Sequence, residues 1–294
     1  LTWRIASAIA VGAIVFAALA LLAWNEHRTL KTYKGLKAAG DAVVSIDAGR
    51  VDGAQNGKLV YVSAIVDSQE GLSDPDFDIA ATGLVLKRSV EMYQWKEKKE
   101  TKEEQKLGGG TERVTTYRYE KVWDDDLIDS SEFRESGHDN PRQMRYRDAR
   151  FAVSDARIGA WRADDSVLDA LDSQPLQLAE AGEFPDGFVR ADAQTLYAGR
   201  GSLSAPQIGD LRVRYSLVPV QEASLIAEVA GEGFKAWQSP AGTEVYLVES
   251  GRHAPAELVA HAQSSNSLIG WLLRGLGFIL LWVAFSMMLA PLST

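Results

Sequence analysis

Two uninterrupted apolar runs frame the chain, and alternating apolar and polar positions fill the space between them. Ile5 to Trp24 reads IASAIAVGAIVFAALALLAW, with no charge on any helical face. Twenty helical residues rise about 30 Å, the thickness of a bilayer's hydrocarbon. Trp3 and Trp24 bracket the run, where amphipathic rings favour the interfaces. Ala18-Leu19-Ala20 has the small-x-small form of a signal-peptide cleavage site. The run is longer than an ordinary signal core, however, and no polar cleavage region precedes its end, so the pattern predicts a retained anchor. The second run, Ile269 to Leu289, carries one charge, Arg274, near its start. A long side chain there can snorkel to the headgroups, which reads as a boundary marker. The sharper reading of Arg274 is a lipid-phosphate or inter-helix contact. Gly12, Gly275 and Gly277 are small positions that admit a neighbouring helix. Pro291 ends the second helix or opens a turn.

Between the runs the period changes. Asn25 to Ala39, with Leu30, Tyr33 and Leu36 three residues apart, continues the first helix into water until Gly40 stops it. Ala42–Asp47 has strand character, and Lys58–Asp67, apolar on both faces, reads as a central strand. Leu84–Glu97 places Leu84, Leu86, Val90 and Met92 on one face, and Arg113–Trp123 does the same with Tyr117, Tyr119 and Trp123. The run KEKKETKEEQKLGGG, residues 96–110, reads as the solvated tip of a long hairpin, or else as a contact site for headgroups or a partner. Asp164–Ser173 is helical with a capping acid, Leu211–Val218 alternates as a strand, and Leu225–Gly231 and Val245–Glu249 are further strands. Ala254–Ser264 is helical and leads into the second run. The pattern predicts an α+β membrane protein: an anchor over 1–28, one soluble β-rich domain over 29–265, and a second transmembrane helix over 266–294.

Charge sharpens this division. The segment 29–265 holds 39 of the 40 acids and 28 of the 31 bases, a net of −11. An acidic surface of this kind excludes a nucleic-acid partner. The chain has no Cys, which excludes disulfides, iron–sulfur clusters and a thiol nucleophile. Of the four His, at 27, 138, 253 and 261, none is read as making a His-x-x-x-His or His-Glu pair of metal spacing. Asp74, Asp76 and Asp78 are spaced like the start of a calcium loop, but Ile79 and Val85 stand where its Gly and Glu belong. Gly108, Gly109 and Gly110 lack the strand, helix and Lys-Ser/Thr pair of a phosphate loop. No catalytic, cofactor or metal residue is therefore assigned. The densest polar stretch, Phe133 to Pro141, reads as a structured loop held by Gly137, Asn140-Pro141 and local bonds of His138. The sharper reading makes His138, Asp139 and Asn140 acid/base groups or ligands.

Several short motifs resemble the transmembrane protein 43 family, also called LUMA. Trp24-Asn25-Glu26-His27-Arg28 resembles its W-N-E-x-R signature, with His27 in place of the usual Gly. Val90-Glu91-Met92-Tyr93-Gln94-Trp95 follows in the family's order. So do Trp123, Phe133-x-x-x-Gly137-His138-x-Asn140-Pro141, Gly209-Asp210-Leu211-Arg212-Val213, and Ser265-Asn266-Ser267 with Trp271 and Arg274. The resemblance implies two further membrane helices beyond residue 294 and a large domain in the lumen or, in a prokaryote, the periplasm. It implies a bacterial inner membrane, towards which the Ala- and Arg-rich, Cys-free composition leans. In a eukaryote it would be the endoplasmic reticulum or inner nuclear membrane. It also implies a scaffold without enzyme activity or cofactor, whose partners are the lipid bilayer, a second copy of itself and unknown membrane or extracytoplasmic proteins. The alternative is a membrane-tethered enzyme or ligand sensor at Gly137–Pro141. A channel is disfavoured, because Arg274 is the one charge within the spans. The interaction or structural candidates are Trp24, Asn25, Glu26, Arg28, Phe133, Gly137, His138, Asn140, Pro141 and Arg274.

Overall fold

The computed structural model describes residues 2–105, 111–179 and 184–289. Its main elements, in chain order, are helix α1 (Thr2–Ala42), strand β1 (Leu59–Asp67), the long strands β2 (Val85–Gln105) and β3 (Thr111–Asp124), strands β4 (Leu211–Val218), β5 (Gln221–Ala230) and β6 (Leu247–Ser250), and helix α2 (Pro255–Leu289). Both helices are long and apolar enough to cross a membrane. The chain divides into two compact units, each assembled from separated stretches: 1–66, 157–171 and 221–294 form one, and 67–156 with 172–220 form the other. The soluble segment, read above as one domain, contributes to both. No linker announces the division, because neither unit is continuous in sequence.

In the first unit, the polar continuation of the anchor is helical as expected, but Gly40 does not end it and α1 runs on to Ala42. Leu36 and Ala39 are buried against Leu59 of β1, Ile226 of β5, Val245, and Leu258 and Val259 of α2. That apolar cluster roots both helices in a sheet that has seven strands among the described residues. Its order is Gly233–Lys235, β5, β1, Arg157–Ile158, Trp161–Arg162, with Val44–Ser45 parallel to β1 and β6 antiparallel to β5. Strand β1 is central as expected, between β5 and Arg157–Ile158, but only the face of Val60, Val62 and Val66 is fully buried, while Ile65 on the other face is exposed. The expected strand over 42–47 shrinks to Val44–Ser45, since α1 takes Ala42 and the Asp47 carboxylate turns to accept the Gly49 N–H at 2.8 Å. Asp164 caps the helix Asp165–Ala170 through the Val167 N–H, as its spacing indicates.

In the second unit, the sheet order is Val189–Arg190, Thr195–Ala198, β4, β2, β3, with Gln174–Pro175 on β4 and Ala149–Ala152 on β2. Strand β2 is far longer than its apolar alternation suggests. Residues 96–105, expected in a solvated tip, are strand, paired from Lys96 opposite Glu120 to Gln105 opposite Thr111. Cross-strand charges supply what apolar contacts do not: Lys98 meets Glu120 at 2.6 Å and Lys96 meets Asp124 at 2.9 Å. The glycines at 108–110, like Pro291, lie outside the described residues. On the inward face of β2, Leu84, Leu86, Val90 and Met92 are buried, as their spacing requires, and so are Arg88 and Gln94. Arg88 donates to both oxygens of Asp74, at 2.8 and 2.9 Å, to Asp76 at 2.9 Å and, through Nε, to the Arg147 carbonyl. Two of the three carboxylates spaced like a calcium loop, Asp74 and Asp76, are thus engaged with a guanidinium. Burial, together with the facing Asp74 carboxylate, pushes the Tyr215 phenol up.

Candidate functional site

The motif residues gather into one cluster in each unit. In the first, Asn25 and Thr29 lie one helical turn apart on α1, and Asn266 and Gly270 lie one turn apart on α2. Asn25 is fully buried and donates to the Gly270 carbonyl at 2.9 Å; Asn266, almost as buried, donates to the Thr29 carbonyl at 3.0 Å. The two amides are reciprocal, so each helix fixes the register of the other. A Cβ at Gly270 would lie 3.0 Å from the Thr29 hydroxyl, a tight contact that glycine avoids. One heptad on, a Cβ at Gly277 would lie 2.5 Å from the Leu22 side chain. Gly277 and Gly270 bring the helices close, whereas Gly12 and Gly275 face open space. Arg274 is not merely a boundary marker. It spans the helices to Glu26 with a two-pronged pair at 2.5 and 2.9 Å and lies over the Trp271 ring at 4.8 Å. Arg28 reaches Thr29 Oγ1 at 3.4 Å, and its Nε is buried without a partner. Trp24 faces outward, half exposed, as an interfacial ring should.

The second cluster covers the outer edge of β2 step by step. Strand β4 pairs with it as far as Met92. The backbone of Gly209 and Asp210 then takes over at Tyr93, with both hydrogen bonds at 2.9 Å. At Trp95 the side chain of Asn140 replaces a strand altogether: its oxygen accepts the Trp95 N–H at 2.7 Å and its amide donates to the Trp95 carbonyl at 2.9 Å. The same amide reaches the Ile128 carbonyl at 3.2 Å. Gly137 adopts φ +91°, which a side chain would strain, with no close neighbour otherwise. His138 stacks on Tyr119 at 3.8 Å with its plane 10° from parallel, and stands edge-on to Trp95 at 4.6 Å. Its Nδ1 is buried without a partner. Tyr119 also touches Phe133 and donates to Glu97 at 2.6 Å; the Arg134 N–H shares that carboxylate, and together these bonds hold Glu97 below the usual carboxylate range. Pro141 packs beside Gly209, where a Cβ would come 3.1 Å from it. Of the loop's polar side chains, Asn140 holds backbone, and among the described residues Asp139 pairs with no base.

Further residues organise these clusters without a motif that marks them as functional candidates. Gln94, fully buried, donates to the Asp126 carbonyl and accepts the Ile128 N–H, pinning the chain that leaves β3. Glu91 receives Arg212 through two bonds and Arg214 through a third, and Arg212 lies over the Trp123 ring at 4.4 Å. Asp210 accepts from the Tyr197 hydroxyl and from the N–H groups of Arg200, Gly201 and Gln207. Burial raises its carboxyl, but those four donors outweigh burial and hold it below the ordinary range. The available signal was position: Gln94 shares the inward register of Val90 and Met92. Contrary to the expectation from sequence, two histidines do have carboxylates at metal spacing. Glu249 and Glu257 each stand four residues from His253, and folding brings ligand atoms of Glu249, His253 and His261 within 4.8 Å of one another.

Known proteins show the same arrangement of sequence. The sequence model of the family described as Transmembrane protein 43 matches residues 92–294. Transmembrane protein 43 of Rattus norvegicus is 29% identical over 287 residues, 93% of this chain and 71% of the relative. The Homo sapiens protein is 28% identical over the same shares, and the Transmembrane protein 43 homolog of Drosophila melanogaster is 26% identical over 89% of this chain and 70% of its own. No solved structure matches. With two helices able to span a bilayer, a β-rich middle and the family's pattern over most of its length, the chain is an integral membrane protein and belongs to the transmembrane protein 43 family.

Proposed function

We propose that the protein is a membrane-anchored scaffold whose extracytoplasmic β-rich domain self-associates and organises protein complexes at the membrane, without enzyme activity. The observation that carries this reading is the use of Asn140 and His138. The most catalytic-looking stretch of the chain spends its amide on the Trp95 backbone and its imidazole on a Tyr119 stack, which builds a fixed surface rather than a reaction centre. The proposal includes the family's four-span plan and a domain on the periplasmic face of an inner membrane, or in the lumen of the endoplasmic reticulum or nuclear envelope. The test is the mass of the complex in mild detergent and in lipid nanodiscs. A multiple of 32.1 kDa in both is expected; a monomer in both overturns self-association. Cysteine placed at exposed Thr101 should react with an impermeant maleimide in spheroplasts, and labelling only after lysis reverses the orientation.

A second reading, a ligand sensor or enzyme at Gly137–Pro141, draws on one fact: the buried Nδ1 of His138 has no partner. His138→Gln separates the two. The scaffold reading expects lower thermal stability or weaker assembly. A stable, correctly assembled but inert His138→Gln protein would favour the second reading.

A further inference from the structure

We propose that Glu249, His253 and His261 form a binding site for a first-row divalent transition ion of the zinc(II) class, at the foot of α2. Two imidazoles and one carboxylate are a donor set that suits zinc, leaving a fourth position for water. Glu249 Oε2 lies 2.8 Å from His261 Nδ1 and 3.9 Å from His253 Nε2. Tetrahedral ligands with bonds of about 2.0–2.1 Å stand roughly 3.3 Å apart, so small side-chain rotations close the set. Imidazole nitrogen also discriminates against calcium and magnesium, which prefer an all-oxygen shell. The three side chains are about one-third to one-half exposed, so an ion can enter from water.

The site is built rather than incidental. Glu249 sits on β6 opposite Ser224 of β5. The Ser224 hydroxyl donates to the Gly251 carbonyl and accepts the His253 N–H, at 2.9 Å each. The His253 carbonyl accepts the Tyr61 hydroxyl at 2.5 Å. Gly251, at φ +88°, makes the turn that swings His253 back over Glu249. Glu257 caps the Ala254 N–H at 2.8 Å and lies 4.0 Å from His253 Nδ1. With the ion on Nε2, the ring hydrogen resides on Nδ1, on the side of Glu257, the carboxylate that orients a metal-bound histidine. Nε2 also lies 3.0 Å from the Ser250 carbonyl, a contact the ion would replace. An ion here clamps the end of β6 to the first two turns of α2. This site is independent of the scaffold reading.

The experiment uses the full chain in detergent, freed of any histidine tag, dialysed against zinc chloride and assayed for bound metal and thermal midpoint. One zinc per chain and a raised midpoint are expected, with no rise in calcium chloride. His261→Gln and Glu249→Gln should each weaken zinc binding at least about tenfold, the scale of loss common at metal sites. His27→Gln, which touches none of these residues, should bind zinc as the parent does. Failure of the parent chain to retain one zinc overturns the site. So does parental affinity in either the His261→Gln or the Glu249→Gln protein, each variant serving if the other does not fold.

Discussion

The two motif clusters solve one problem, joining backbone segments that no ladder joins, with the same side chain and opposite consequences. At the helix junction, Asn25 and Asn266 donate to carbonyls within α1 and α2, and an α-helix offers its carbonyls hydrogen bonds of its own. On β2, Asn140 serves a Trp95 N–H and carbonyl that no strand reaches on that edge. The first amide pair therefore chooses a register, and the second completes a fold. At the membrane border the separated helices also find partners for their polar groups, in water, headgroups or each other, which keeps inter-helix bonds near 0.6–1.7 kcal/mol, roughly. A buried strand group left without a partner costs about 1–3 kcal/mol. Loss of a clip should thus be worse in the soluble cluster than at the junction.

The largest expected effect is at Asp210, beside Tyr93 on the same strand edge. Asp210→Ala removes a charged acceptor from the buried Tyr197 hydroxyl and from three part-buried N–H donors, and with bonds to a charged group worth about 1.5–3 kcal/mol the loss should exceed roughly 3 kcal/mol. Urea unfolding followed by aromatic circular dichroism measures it. Acid should act in the same direction. The folded carboxyl titrates below its ordinary value of 3.8, so its contribution is complete above that pH and is lost as pH falls through the lower folded value. A midpoint flat between pH 5 and about pH 2 would contradict this account.

Next comes Asn140→Ala. Trp95 loses both its edge partners and Ile128 loses one, so a fall of about 2–3 kcal/mol is expected. The stretch between Asp126 and Asp148 should become sensitive to limited proteolysis. If instead Asn140→Ala is neutral, water satisfies Trp95 as well as the amide does, and the contrast between the clusters disappears.

Much of this architecture is visible in the sequence wherever hydrophobic period decides it. The buried set of Leu84, Leu86, Val90 and Met92, the central place of β1 and the apolar helices all follow from spacing alone. Two kinds of feature escape that reading. Lys96 to Thr101 is strand because charges and hydroxyls there meet those of β3, a pairing that depends on the partner rather than on the run itself. Arg88 and Gln94 occupy core positions in the inward register, but a polar residue at such a position only reveals its use once Asp74 or Ile128 is known to face it. The motifs at 24–28, 90–95, 133–141 and 209–213 identify the residues; that Asn25 meets Gly270, and Asn140 meets Trp95, requires the fold. His253 and His261 escaped because their partner Glu249 comes from a strand.

At the junction, the third expected effect is smaller. Asn25→Leu or Asn266→Leu should cost about 0.6–1.7 kcal/mol, and the double variant less than the sum, because each helix then slides with both amides gone. The readout is register: a disulfide formed between cysteines placed at Leu22 and Gly277, where the helices touch, should lose yield in either variant and spread to positions one turn away.

The smallest effect is assigned to the ion pair of Glu26 and Arg274. Its geometry is good, with two bonds at 2.5 and 2.9 Å, but Glu26 is half exposed and Arg274 more than a quarter exposed. Water and headgroups screen a pair so placed, and ordering two long side chains offsets part of the attraction. Arg274→Gln should therefore move the thermal midpoint less than Asn266→Leu does. The exchanged pair, Glu26→Arg with Arg274→Glu, should return most of the single-variant losses, since the attraction survives reversal even though the Trp271 contact does not. A double-mutant cycle isolates that coupling. If the coupling exceeds that between Asn25 and Asn266, charge rather than the amide pair sets the register of α1 on α2. The junction and the loop would then differ in the force that holds them as well as in its size.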